Sequence, residues 1–267
     1  MAWISELIDY ISTFDVDYRD AVKPAQAPEI DEFSTVLRRE IPAVYREFLE
    51  SVGGYDGGLF HALRADTRIE RVTRYCRDIV EDGDDEFDVC IPFAKGDVFD
   101  GLGLHVGLDQ DDPPLVTLDW ALPDDRITDD LASFAFQHAF MWELAAGRVC
   151  VRYEGFPGGA DLVSAESGLA DAGYVRESFS DGSLCCARGP RALVTAFMGA
   201  PGGKLAMQVC AEDERAALTA GAEILQTAEL GQALRGGRPT MLTKKATLSE
   251  VRAHGGARTE VLAEYEA

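Results

Sequence analysis

Apolar residues recur at Trp3, Ile4, Leu7, Ile8 and Ile11, three and four positions apart, which predicts an amphipathic helix over 2–14. The connector KPAQAP at 23–28 follows, and Pro28 suits the start of a second helix with Ile30, Phe33, Val36 and Leu37 on one face. Ile41-Pro42 breaks that run. Pro42 then fits the first turn of a third helix, with Val44, Tyr45, Phe48 and Leu49 inward, and Gly53-Gly54 ends it. The segment DTRIERVTRYCRDIVEDG predicts a fourth helix, capped by Asp66 or Thr67, that carries Ile69, Val72, Cys76, Ile79 and Val80.

Between 87 and 119 the period changes. FDVCIPFA, LGLHVGL and PLVTLDW are short, rich in Val, Ile and Phe, and separated by KGDVFDG and DQDDPP, which is how consecutive antiparallel strands read. A helix fits 128–146, with Thr128 as its cap and Asp129 and Asp130 complementing the helix dipole. From 148 the pattern restarts: VCVRYEG reads as a strand and ADLVSAESGLADAG as a helix. YVRESF, SLCCAR, ALVTAFM and KLAMQVC then read as four strands, and 211–226 as a closing helix. The tail from 227 reads as a connector, a short strand and a helix. The expected architecture is α+β: an antiparallel sheet flanked by helices over 1–147, then a second, smaller α+β unit over 148–267.

Charge separates the two halves further. Residues 1–148 hold 32 acidic and 13 basic side chains, whereas 149–267 hold 15 and 12. So acidic a first half repels phosphate backbones, so direct nucleic-acid binding is not expected; the same field speeds encounter with a basic protein. The six cysteines form no C-x-x-C pair and no zinc-type spacing, and five sit in or beside apolar runs. They read as free, buried thiols in a reducing compartment. No basic n-region opens the chain and no run reaches the length of a membrane span. The expectation is a cytoplasmic protein with no membrane partner.

Motifs for catalysis are not found. There is no G-x-S-x-G, H-E-x-x-H or Walker loop, so no catalytic residue, metal ligand or cofactor is assigned. Gly101, Gly103 and Gly107 lie inside an apparent strand, where tight packing or a bulge explains them. His61, His105, His138 and His254 are scattered and read as satisfied core groups rather than as ligands or catalytic partners. Cys185 and Cys186 fall on opposite faces of one strand and are poorly placed to share an ion or to form a disulfide with each other.

Acidic residues are the more informative feature: Asp84, Asp85 and Glu86, then Asp109, Asp111 and Asp112, then Asp124 and Asp125. If the strands pair as consecutive neighbours, some of these loops emerge together and form a negative rim. That rim reads either as a solvated face or as a docking surface for a basic partner. Trp120, at the end of a strand, is either a core residue or an apolar anchor.

The stretch EFSTVLRREIPAVYREFLESVGG resembles the opening signature of the SUKH superfamily, through Ile41-Pro42, Tyr45, Phe48-Leu49 and Gly53-Gly54. It departs at Val52, where the family usually has Asn, and at Ile41, where it usually has Leu. IPFAKGDVFDGLGLHVGLDQDDPPLVTLDW resembles the family's strand run, and Leu131 to Phe134 resembles its closing helix. The likeness covers about residues 28–145. It implies an α+β domain that holds partner proteins and carries no catalytic set. Bacterial members are largely immunity proteins that neutralise polymorphic toxins by direct contact, and fungal members regulate cell-wall synthesis. The resulting expectation is a non-enzymatic immunity protein whose partner is a cognate toxin, a basic one such as a nuclease. A non-catalytic adaptor is the alternative.

Overall fold

The computed structural model describes residues 3–83, 87–96, 101–107, 112–119, 122–155, 161–199, 204–227, 234 and 240–241. It is a mixed α+β chain that divides into two compact units, with the division between Ala139 and Phe140. No helix among the described residues is long and apolar enough to cross a membrane.

The first unit opens with α1 (Trp3–Ser12), α2 (Tyr18–Ala21), α3 (Ala27–Leu37) and α4 (Ala43–Val52). Pro28 lies in the first turn of α3, where a missing N–H costs nothing, and a capping box of Gln26 and Glu29 closes its start. Pro42 precedes α4 as its N-cap. The GGYDGG segment then folds back: Gly54 donates to the Lys23 carbonyl, and the Tyr18 hydroxyl donates to that of Asp56. At Gly57 φ is +70°, and a Cβ there would lie 2.5 Å from the Tyr18 ring, so only glycine fits.

Five strands follow: β1 (Ala65–Asp66), β2 (Cys90–Gly96), β3 (Gly101–His105), β4 (Leu115–Asp119) and β5 (Leu122–Thr128), with α5 (Ile69–Glu81) between β1 and β2. They form one antiparallel sheet in chain order, β1 and β5 being its edges. The packing reading of the glycines holds at Gly103, where a Cβ would meet Cys90 Sγ at 2.5 Å. The core is aromatic. Phe33, Tyr45, Phe48, Phe60 and Phe93 are fully buried and meet at ring-centroid distances of 5.2 to 6.2 Å, and Phe134 of α6 (Leu131–Ala145) stacks on Phe60 at 5.3 Å.

Three details differ from the sequence expectation. LPDDRIT, left between strand and helix, is β5: its residues are mostly exposed, so it lacks the apolar alternation that marks a half-buried strand. Thr128 does not cap α6; the Asp130 carboxylate accepts from the Ser133 N–H at 2.6 Å instead, while the Thr128 hydroxyl donates to the Asp130 carbonyl. The N-cap of α5 is Arg68, with Asp66 accepting from its backbone N–H at 3.1 Å.

The second unit pairs β6 (Val149–Glu154), β7 (Val175–Arg176), β8 (Leu184–Arg188), β9 (Leu193–Gly199), β10 (Lys204–Ala211) and β11 (Thr240–Met241) in the antiparallel order β11-β6-β10-β9-β8-β7. One face buries Val151, Cys185, Val194, Met207 and Val209 together with Leu169 of α7 (Leu162–Asp171) and Ile224 of α8 (Glu214–Ile224). The YVRESF segment contributes only the two residues of β7, because the chain turns at Glu177, whose carbonyl accepts from the Ser180 N–H. On the opposite face Arg188 grips Glu143 with both terminal nitrogens, at 2.9 and 2.8 Å.

The cysteine expectation is corrected in one respect. Cys150 and Cys210 are directly opposed across β6 and β10 and are joined by a disulfide. Sequence spacing could not reveal this, because the two residues are 60 apart and become neighbours only through strand pairing. Cys76, Cys90, Cys185 and Cys186 are free and buried.

Candidate functional site

Strand register determines where the acidic groups of the first unit meet. Cys90 opposes His105, Leu104 opposes Leu115, and Leu115 opposes Thr128. One end of the sheet therefore gathers the approach to β2, the β3–β4 connection and the exit from β5 into α6. Described acids at this end are Asp88, Asp112, Asp129 and Asp130. Arg39 secures the approach by donating to the carbonyls of Phe87 and Asp88, at 2.7 and 3.0 Å.

Asp112 is the most perturbed of these. Burial first, then the charge of Asp130, push its carboxyl up to about 6, against a partly offsetting hydrogen bond from the Leu131 backbone. Its Oδ1 is buried and accepts no hydrogen bond from the described residues. Asp130 is held in place as the α6 cap, donating nothing and accepting from both the backbone N–H and the hydroxyl of Ser133. Two carboxyl groups are thus kept near each other by elements distant in sequence. Asp129 is partly neutralised by Arg126 at 2.5 Å, with both side chains more than half exposed.

Asp124 and Asp125 lie along β5, the open edge of the sheet, and are exposed. The Thr117 hydroxyl of β4 accepts from the Asp125 N–H at 3.0 Å and lies 3.5 Å from the Asp124 carboxylate, which ties the pair to the neighbouring strand. Leu122, at the start of the same strand, is 63% exposed. Charge and proline on an edge strand are also how sheets discourage unwanted pairing, and Pro123 fits that role.

Of the nine residues singled out from sequence, Asp112, Asp124 and Asp125 belong to this acidic end and edge. Asp84, Asp85, Glu86, Asp109, Asp111 and Trp120 lie outside the described residues. Sequence reasoning placed Asp130 on the helix dipole and missed its role beside Asp112; the signal available was the Asp130-x-x-Ser133 spacing of an N-cap.

Other chemistry-bearing groups are structural. His138 is buried between Phe134 at 4.5 Å and Phe60 at 5.4 Å, and burial lowers its pKa to about 3, so it is a neutral core residue. Burial pushes the Cys76, Cys90 and Cys185 thiols well up, the latter two to about 12, which suppresses thiolate chemistry. Among the described residues no three His, Cys, Asp or Glu side chains are grouped to hold a metal ion. No protein-family model matches this chain, and no curated protein or solved structure matches it either.

Proposed function

We propose that this protein is a bacterial immunity protein of the SUKH type, which binds a cognate polymorphic toxin and blocks its active or substrate-binding site. The observation that carries the reading is the convergence of Asp112, Asp129 and Asp130 at one end of the first unit's sheet, continued by Asp124 and Asp125 along the open edge strand. Burial first and then the charge of Asp130 raise the Asp112 carboxyl, and a basic partner relieves that repulsion on binding. Supporting it, Tyr45, Phe48 and Phe93, which lie in the stretches that resemble the family, pack into one aromatic cluster.

On this reading the partner is a basic toxin such as a nuclease, drawn in by the acidic rim and retained by apolar contacts. No catalytic residue, cofactor or metal takes part. The protein acts in the cytosol, where the toxin does its damage. The test is co-expression with the toxin domain encoded by a neighbouring gene. Restored growth together with a stoichiometric complex that survives moderate salt supports the proposal. Unrelieved toxicity with no complex overturns it and favours the adaptor alternative.

A further inference from the structure

The edge of the first unit's sheet opposite β5 gathers basic side chains interspersed with Asp56, Asp66, Glu70 and Asp78. Five of the thirteen Lys and Arg residues of 1–148 surround β1: Arg64, Arg68, Arg71, Arg74 and Lys95. Their placement follows from local structure. Arg64 ends the turn after His61 in the left-handed conformation, at φ 50°. Arg68, Arg71 and Arg74 recur at every third position through the start of α5, which keeps them on adjoining rows of one helix face. Lys95 stands opposite Asp66 in the β1–β2 ladder.

These residues line two adjoining cavities that share Asp66. One, of about 390 Å³, lies between Tyr55, His61, Arg64 and Arg68; the other, of about 320 Å³, between Arg71, Arg74, Tyr75 and Lys95, with the exposed Asp78 carboxylate on its rim one helical turn from Arg74. Asp56 belongs to the first, but its carboxylate is turned to its own loop, accepting from the Gly58 N–H at 2.8 Å and the Thr67 hydroxyl at 2.9 Å. Asp66 is engaged by Arg68 through both Nε and Nη2, and Arg71 approaches Glu70 at 3.6 Å. Arg64 and Arg74 are exposed and make no side-chain hydrogen bond or ion pair among the described residues. One uncommitted guanidinium therefore serves each cavity.

We propose that this two-lobed trough binds a small polyanion bearing two linked phosphate-type groups, with Arg64 holding one group and Arg74 the other. Concave sites of this size suit a small ligand better than a flat protein contact, and guanidinium forks match phosphate oxygens bidentately. The exposed ring of Tyr55 borders the Arg64 lobe and offers a face to whatever the phosphates carry. The inference is independent of the toxin partner, since it uses the opposite edge of the sheet.

The test is isothermal titration of the whole chain with inorganic pyrophosphate at low salt. Arg64→Gly removes one charge at a backbone position that glycine adopts without strain, Arg74→Ala removes the other from an exposed helix face, and Arg215→Ala on α8 is the control. The expected result is one saturable site, weakened about tenfold by each trough variant, unchanged in the control, and weaker for orthophosphate. No saturable binding at millimolar pyrophosphate overturns the proposal, as does binding insensitive to both trough variants. An oligoglutamate peptide that binds while pyrophosphate does not would also overturn it and give the surface to an acidic protein segment.

Discussion

Asp112 and Asp130 approach each other from the β3–β4 connection and the cap of α6, and burial, with the charge of Asp130 added to it, raises the Asp112 carboxyl to about 6. The folded protein therefore holds a proton that the unfolded chain releases near pH 4. The resulting penalty is absent below that pH and complete above about 6, so stability falls as pH rises through this window. Asp112→Asn removes the penalty. Denaturant titration at pH 7.5 should find the variant more stable by about 1 kcal/mol after allowance for solvent screening, with no gain at pH 4.

His138 has the opposite linkage. Its folded pKa of about 3 lies below the ordinary value of 6.5, so its neutral form stabilises the fold above pH 6.5 and that stability is lost as pH falls. Each pH unit below 6.5 costs about 1.4 kcal/mol from this group until its folded pKa is reached. His138→Phe should flatten the acid limb of a stability-versus-pH curve. An unaltered slope would show that the imidazole is not buried neutral.

The Cys150–Cys210 bond closes a loop of 60 residues in the second unit, which removes about 4 kcal/mol of chain entropy from the unfolded state. Thiol titration of the oxidised, denatured protein should count four thiols, and reduction should lower Tm. The proposed cytosolic location carries its own expectation: rapid alkylation of intact cells should trap Cys150 and Cys210 as thiols, and a disulfide found there would contradict that location.

Glu143 accepts two hydrogen bonds from Arg188, which also donates to Glu177 at 2.9 Å. Arg188→Ala leaves the Glu143 carboxylate, only 8% exposed, with Arg148 at 3.5 Å as its remaining ion pair and should cost about 1 kcal/mol, measured as a lower denaturation midpoint, while Arg188→Lys restores part of the loss.

Most of the architecture was legible because burial imposes periodicity. Ile4, Leu7, Ile8 and Ile11 mark α1, and the continuous apolar run CIPFA marks the buried stretch of β2. Elements that bury little left little trace: β5 is mostly exposed, and β1 and β7 have two residues each. The acidic rim was partly legible, since the strands pair in chain order. The Asp112–Asp130 relationship and the Cys150–Cys210 bond depend on which residues the ladders oppose, and composition carries no register. The basic trough went unread for a different reason. Net charge conceals local segregation, although the repeat Arg68, Arg71, Arg74 is visible in the sequence.

Whether the acidic rim recruits a basic toxin is tested most directly by stopped-flow association between this protein and the toxin domain proposed as its partner over a series of salt concentrations. The rim predicts a wild-type rate that falls steeply with salt, and an Asp112→Asn, Asp124→Asn, Asp125→Asn triple variant that associates about tenfold more slowly at low salt with a flatter dependence. Equal rates and equal salt slopes for the two proteins would contradict the account.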